Sequence, residues 1–280
     1  MNTRSASLLC ALSLAVTANF CEATPVVITA GGQTYSQDFD TLTTSTTSQA
    51  WSNGATLSGW HLFTAGGAAI TTYIGNSGGS NAGSFYSYGA TGVSERALGG
   101  LGSSAAYFGS PTSGNLAGYM ALEIKNTAGS ALDGFTLAFN GEQWRNGGNT
   151  SAQKMVFEYG FGSTFAGVST WLAPGGLFDW TSPVASGTGA AVDGNAAGRV
   201  SGRGGSLSLS WANDATLWLR WTERNDVGND HGLAIDGLQF TAGAAPTPVP
   251  VPPALGLLLA GAAALQRLSR RQRSAGAAAV

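Results

Sequence analysis

An all-β sandwich is the fold this sequence predicts, and three observations predict it. Apolar and polar residues alternate over short runs, the period of two that a half-buried strand requires. Phe135, Leu137 and Phe139 fall on one side of such a run, and Thr136, Ala138 and Asn140 on the other. Gly/Ser/Asn clusters separate the runs, at residues 75–83, 146–150 and 198–205. Glycine makes up 42 of the 280 residues while only 10% are charged, a composition suited to turns and extended chain. Eight Trp, seven Tyr and twelve Phe supply the material of a packed core and argue against disorder.

The chain opens with Arg4 and an uncharged run over 5–20, followed by Cys21-Glu22-Ala23. This pattern predicts a secretory signal peptide over 1–23, cut by signal peptidase after Ala23, with Ala18 as the second choice. Both cysteines, Cys10 and Cys21, lie inside it. The mature chain is then held by its core and not by disulfides. Candidate strands follow at 35–39, 59–63, 70–74, 84–88, 117–124, 135–140, 152–159, 217–221 and 231–240. No internal repeat is evident, which disfavours a propeller or β-helix. The expected unit is one domain over 24–243, a jelly-roll or lectin-like sandwich. It carries 14 acidic against 8 basic residues, a net charge of −6. Such a surface does not attract nucleic acid.

After the domain, 244–253 reads as a linker stiffened by Pro246, Pro248, Pro250, Pro252 and Pro253. The segment 254–273 then combines an uncharged run with Arg267, Arg270, Arg271 and Arg273. Twelve helical residues rise about 18 Å, short of a hydrocarbon core of about 30 Å, so a stable span would have to recruit flanking residues. The arginines would hold the end on the cytoplasmic side. Val249, Pro250, Val251, Pro252 and Pro253 before the Leu-rich run and the Arg cluster resemble the PEP-CTERM sorting signal of Gram-negative bacteria. The closest variant is V-P-L-P-A; Val251 stands where Glu is usual. The resemblance implies a precursor anchored in the inner membrane and an exosortase as partner. It also implies a destination at the cell surface or in the extracellular matrix, with a link to exopolysaccharide and biofilm.

Four segments resemble bacterial surface proteins with jelly-roll domains: Glu95-Arg96-Ala97-Leu98-Gly99, Gly141-Glu142-Gln143-Trp144-Arg145, Leu219-Arg220-Trp221, and the run from Asp230 to Asp236. The last is similar to the closing A-I-D-D strand of many lectin-like sandwiches, with Gly237 in place of the second Asp. That resemblance implies fold and surface location and no activity.

Catalytic patterns are missing. A sandwich glycosidase needs two carboxylates about 5–9.5 Å apart, and Glu142, Glu158 and Glu223 each stand alone on their strands. Glu142, three residues before Arg145, reads as an Arg-paired structural carboxylate. A Ser nucleophile of the hydrolase type needs a strand–turn–helix, and no helix is foreseen. His61 and His231 are the only histidines, too few for a His-rich zinc site. The expectation is therefore a non-catalytic exported protein. The alternatives are a carbohydrate-binding lectin-like module and a glycan hydrolase. Calcium is the one ion the residues suggest, on Asp226, Asp230 and Asp236, since hard oxygen ligands on a Gly-containing loop suit it. The competing role for Asp226 and Asp230 is that of plain turn formers. Asp236 shares an alternation face with Ala234 and Leu238, which points it inward. Most tryptophans belong in the core. Trp218, out of phase with Leu217, Leu219 and Trp221, is expected either exposed or in a second packed layer, the latter favoured.

Overall fold

The computed structural model describes residues 24–244. The predicted signal peptide and the sorting residues from Val249 to Arg273 lie outside them.

Sixteen strands run through the described residues: β1 (Val26–Ile28), β2 (Thr34–Gln37), β3 (Gln49–Ala50), β4 (Trp60–Thr64), β5 (Thr72–Asn76), β6 (Ser84–Tyr88), β7 (Ala97–Leu101), β8 (Asn115–Asn126), β9 (Leu132–Asn146), β10 (Lys154–Met155), β11 (Phe157–Phe161), β12 (Trp180–Thr181), β13 (Ala190–Ala191), β14 (Arg199–Trp211), β15 (Thr216–Asn225) and β16 (Gly232–Ala242). They form a β-sandwich. The smaller sheet is ordered β1-β8-β15-β11, with β4 also on β8. The larger is ordered β13-β9-β16-β7-β6-β5-β3, with β14 on β9 and β2 on β16. β10 and β12 pair as a separate ribbon. Most pairings are antiparallel; β1–β8 and β5–β6 are parallel. Helix is confined to three short 3₁₀ turns, and no helix among the described residues is long and apolar enough to cross a membrane.

The alternation read from the sequence is the one that packs the sandwich. Phe135, Leu137 and Phe139 of β9 are buried, while Thr136 and Ala138 are exposed. Across the gap, Leu217, Leu219 and Trp221 of β15 join the same core. Trp60 and Trp221 stack at 5.7 Å, and Phe139 meets Trp221 edge-on at 5.6 Å. Seven of the eight tryptophans are buried; Trp171 is half-buried.

Two elements depart from the reading. The stretch 198–205, expected to separate strands, is the first half of β14. Its glycines do not break it, because β14 is bonded to β9 alone and its register shifts between Val200 and Arg203. An edge strand tolerates such irregularity better than a central one. The run 152–159 divides into β10 and β11, which pair with different partners.

Candidate functional site

β4 and β15 flank β8. Alternation turns Trp60 and Leu62 of β4 into the sandwich core, so His61 and Phe63 must point to the opposite, outer face. The same logic turns Trp218 and Arg220 of β15 outward. This outer face is not polar. Tyr119, Ala121, Phe165, Val168 and Trp218 form a second buried cluster on it, with Phe63 and Trp171 packed alongside. Trp218 thus lies in the second layer, 2% exposed.

The segment after β11 builds the roof of that layer. Thr164 accepts a hydrogen bond from Gly167 N and caps the 3₁₀ turn Phe165–Gly167. The turn sets Phe165 parallel to Phe63, with ring centres 4.1 Å apart. Farther along, Arg220 is held between Trp171 at 3.8 Å and Tyr119 at 4.1 Å, and its Nε donates to Glu158 Oε2 at 2.6 Å. A guanidinium gripped between two rings and a carboxylate clamps the roof to the sheet.

Where the roof ends, a groove of about 410 Å³ remains, lined by Asn53, His61, Phe63, Glu123, Phe165 and Trp218 among others. His61 is 5% exposed. Its buried Nε2 lies 3.1 Å from Glu123 Oε2, an ion-pair contact when the imidazole is protonated, and makes no hydrogen bond. Asn53 is fixed by Trp51 Nε1 and Leu62 N, both donating to its Oδ1 at 2.8 Å. A second depression of about 570 Å³ shares Glu123 and Ser163 with the groove and continues past Phe161 and Lys125. Flat apolar rings bordered by an imidazole, a carboxylate and hydroxyls suit a ligand with apolar faces and a polar rim.

The aspartates expected to share calcium do not come together. Asp226 and Asp230 stay in the loop before β16, where Asp226 N donates to Asp230 Oδ1. This is the turn-forming role. Burial raises the carboxyl of Asp230 to about 7. Asp236 is turned elsewhere. Gly237 adopts φ +56, a left-handed conformation glycine takes freely, and the β16–β9 register slips between Asp236 and Gln239. The bulge inverts the phase. Leu233, Ile235, Leu238 and Phe240 face the sandwich core, while Ala234 packs on the outer face of the large sheet with Tyr88 and Trp144. Asp236 therefore shares a face with Ala234 but not with Leu238. Its carboxyl, raised to about 6 by burial, lies beside Glu95 and Glu142.

Glu142 is not paired with Arg145. Three residues apart on a strand, the two side chains leave opposite faces. Glu142 Oε2 accepts from Trp144 Nε1 at 3.0 Å, and Arg145 Nη1 donates to the carbonyls of Gly78 and Gly79. His231 Nδ1 accepts from Gly147 N at 2.9 Å, a structural role. Sequence reasoning passed over Phe63, Glu123 and Phe165. Only the pairing of β4 with β8 and the fold of the 162–172 segment bring them to His61.

No protein family and no curated protein matches the chain. Among solved structures it is similar to the CBM22-1 xylan-binding domain of Paenibacillus barcinonensis Xyn10C, at 9% identity and a TM-score of 0.36. The match covers 77% of this chain and 98% of that domain.

Proposed function

We propose that the protein is an exported, non-catalytic sandwich that binds an extracellular glycan in the groove over His61 and Phe63. The observation that carries this reading is the groove itself: the half-buried ring of Phe63, backed by Phe165 and Trp218, beside the His61–Glu123 pair. A pyranose ring has an apolar C–H face for the half-buried Phe63 ring and hydroxyls for the partly exposed Glu123 carboxylate. The adjoining depression extends the surface in one direction, which favours a chain of sugars over a single one. Binding is preferred to hydrolysis because the groove over His61 and Phe63 is lined by one carboxylate, Glu123, whereas glycosidases place two about the scissile bond; Asp214 lines only the adjoining depression. Glu142, with 0% exposure, is closed to any substrate.

Affinity electrophoresis of the purified protein against a panel of extracellular polysaccharides tests the reading. At least one should retard it. Phe63→Ala should weaken that retardation about tenfold, as expected for losing roughly 1–1.5 kcal/mol of ring contact. Arg203→Ala, on β14, should leave it unchanged. Absence of retardation by every polysaccharide would remove the glycan reading, and release of reducing sugar would replace it with hydrolysis.

The tail belongs to the same proposal. Residues 246–280 hold the exported precursor at the membrane until an exosortase acts. Deleting them should move the folded domain from the cell fraction to the medium, measured by immunoblot. A truncated protein that stays with the cells would contradict this role.

A further inference from the structure

Glu95, Glu142 and Asp236 come from three separate parts of the large sheet: the segment before β7, the middle of β9 and the bulge in β16. Each offers one carboxylate oxygen, and these oxygens lie within 4.8 Å of one another. Each residue also has one buried oxygen without a hydrogen-bond partner: Glu95 Oε1, Glu142 Oε1 and Asp236 Oδ1. Glu142 is fully buried, at 0% exposure.

The rest of each carboxylate is held by a donor. Trp144 Nε1 donates to Glu142 Oε2 at 3.0 Å, and Asn195 Nδ2 donates to Glu95 Oε2 at 2.7 Å. The Gly237 amide hydrogen-bonds Asp236. Such donors orient acceptors toward a common point. Arg199 acts on Glu142 and Asp236, and Arg96 on Glu95, only through longer-range attraction. Among the described residues no ion pair within 4.0 Å reaches any of the three. Arg96 is next to Glu95 in sequence but spends its Nη2 on the carbonyls of Ala90 and Val93. Arg199, opposite Glu142 on β14, turns its Nε to Ser201. Asp40 adds a further negative charge near Asp236. Three buried acceptors facing each other repel unless a cation or a proton sits between them.

We infer that Glu95, Glu142 and Asp236 bind a calcium ion. The donor set is all oxygen and all anionic, with no imidazole or thiolate, which selects a hard cation. Oxygens within 4.8 Å of one another can share one cation, and calcium takes carboxylates in flexible geometry whereas magnesium demands a near-ideal octahedron and dehydrates reluctantly. The competing arrangement is a proton shared by the carboxyls. Burial raises Glu142 to about 8, which favours that proton in the absence of metal. The two readings part at Glu142→Gln. Glutamine keeps the shape and stands in for the protonated acid, but it supplies one fewer anionic ligand.

The test uses the protein dialysed against chelator and then titrated with calcium, magnesium or terbium chloride. Calcium should raise the melting temperature progressively, and magnesium at equal concentration should raise it less. Terbium should luminesce on tryptophan excitation, because Trp144 touches the site, and calcium should displace it. Glu142→Gln and Asp236→Asn should abolish the calcium response, while Asp226→Ala keeps it. Trp144→Phe should lose most of the luminescence and keep the calcium-dependent melt. If Glu142→Gln does not fold, Glu95→Gln serves, and the terbium competition needs only the wild type. A melt indifferent to calcium, with no displaceable terbium, overturns the proposal in favour of a shared proton. Loss of the response in Asp226→Ala but not in Asp236→Asn overturns it in favour of the loop.

Discussion

Replacing Trp221 by alanine is expected to cost about 3–5 kcal/mol of folding stability, the range for removing a large buried ring. Trp221 is 0% exposed and sits in β15, bonded on both sides, to β8 and β11. Its ring stacks on Trp60 and meets Phe157 of the same sheet, at 5.7 and 5.3 Å. It also meets Phe139 of the opposite sheet at 5.6 Å. Truncation opens a cavity where the two sheets touch, and neither sheet can close it without moving the other. The indole Nε1 makes no hydrogen bond, so the loss is one of packing and not of a polar contact. Against a total of about 5–15 kcal/mol, this removes about a fifth or more of the stability. Each kcal/mol shifts Tm by about 2–4 °C in a domain of this size, so a fall of about 10 °C is expected. Urea unfolding provides the measurement: the midpoint should drop with the slope unchanged. A loss below about 1 kcal/mol would mean that the sheets do not depend on this contact. Val27→Ala, at a 40% exposed position, should change stability by no more than about 0.5 kcal/mol.

The alternation that places Trp221 was legible in the sequence because it needs only one strand. Phe135, Leu137 and Phe139 declare a face by themselves, and so do Leu217, Leu219 and Trp221. The two-sided burial of β15 was partly legible too, since Trp218 is apolar and out of phase with its neighbours. What eluded the sequence depends on relations between strands. His61 is an isolated histidine until β4 pairs with β8 and Glu123 arrives beside it. Glu95, Glu142 and Asp236 are 47 and 94 residues apart along the chain, and no local spacing joins them. Asp236 was misplaced for a different reason. Strict alternation puts it with Leu238, but the glycine after it allows a bulge that reverses the phase. Gly237 was visible, though nothing in one strand says whether such a glycine makes a bulge or merely a gap. β14 shows the converse. Its glycines looked like a break, yet an edge strand absorbs them.

The second large effect concerns Glu223, whose replacement by glutamine should stabilise the protein progressively as pH rises. Glu223 is 3% exposed on β15. Its Oε1 accepts from Gly102 N at 2.8 Å, and its Oε2 has no partner. Gly102 is compatible with this closeness because a Cβ there would stand 1.6 Å from Arg224 O. Burial pushes the Glu223 carboxyl well above its ordinary range, and the charges of Asp230 and Asp226 push it further. Arg224 directs its charge at Asp226, with its Nε 3.9 Å from Oδ1, and is not among the groups acting on Glu223. The folded protein thus keeps a proton that the unfolded chain releases near pH 4.3. Where the folded state binds more protons than the unfolded one, stability falls as pH rises. The contribution is constant below about pH 4 and then declines by at most about 1.4 kcal/mol per pH unit, until the folded carboxyl itself ionises. Glutamine carries no titrating proton and keeps an oxygen for Gly102 N. Thermal melts of wild type and Glu223→Gln from about pH 5 to about pH 8 should therefore diverge, with the variant increasingly the more stable. Taking the difference at each pH cancels the titration of Glu142, Asp230 and Asp236, which both proteins share. A difference that stays flat across the range would show that Glu223 is ionised in the fold and is paired by a group other than the Gly102 amide.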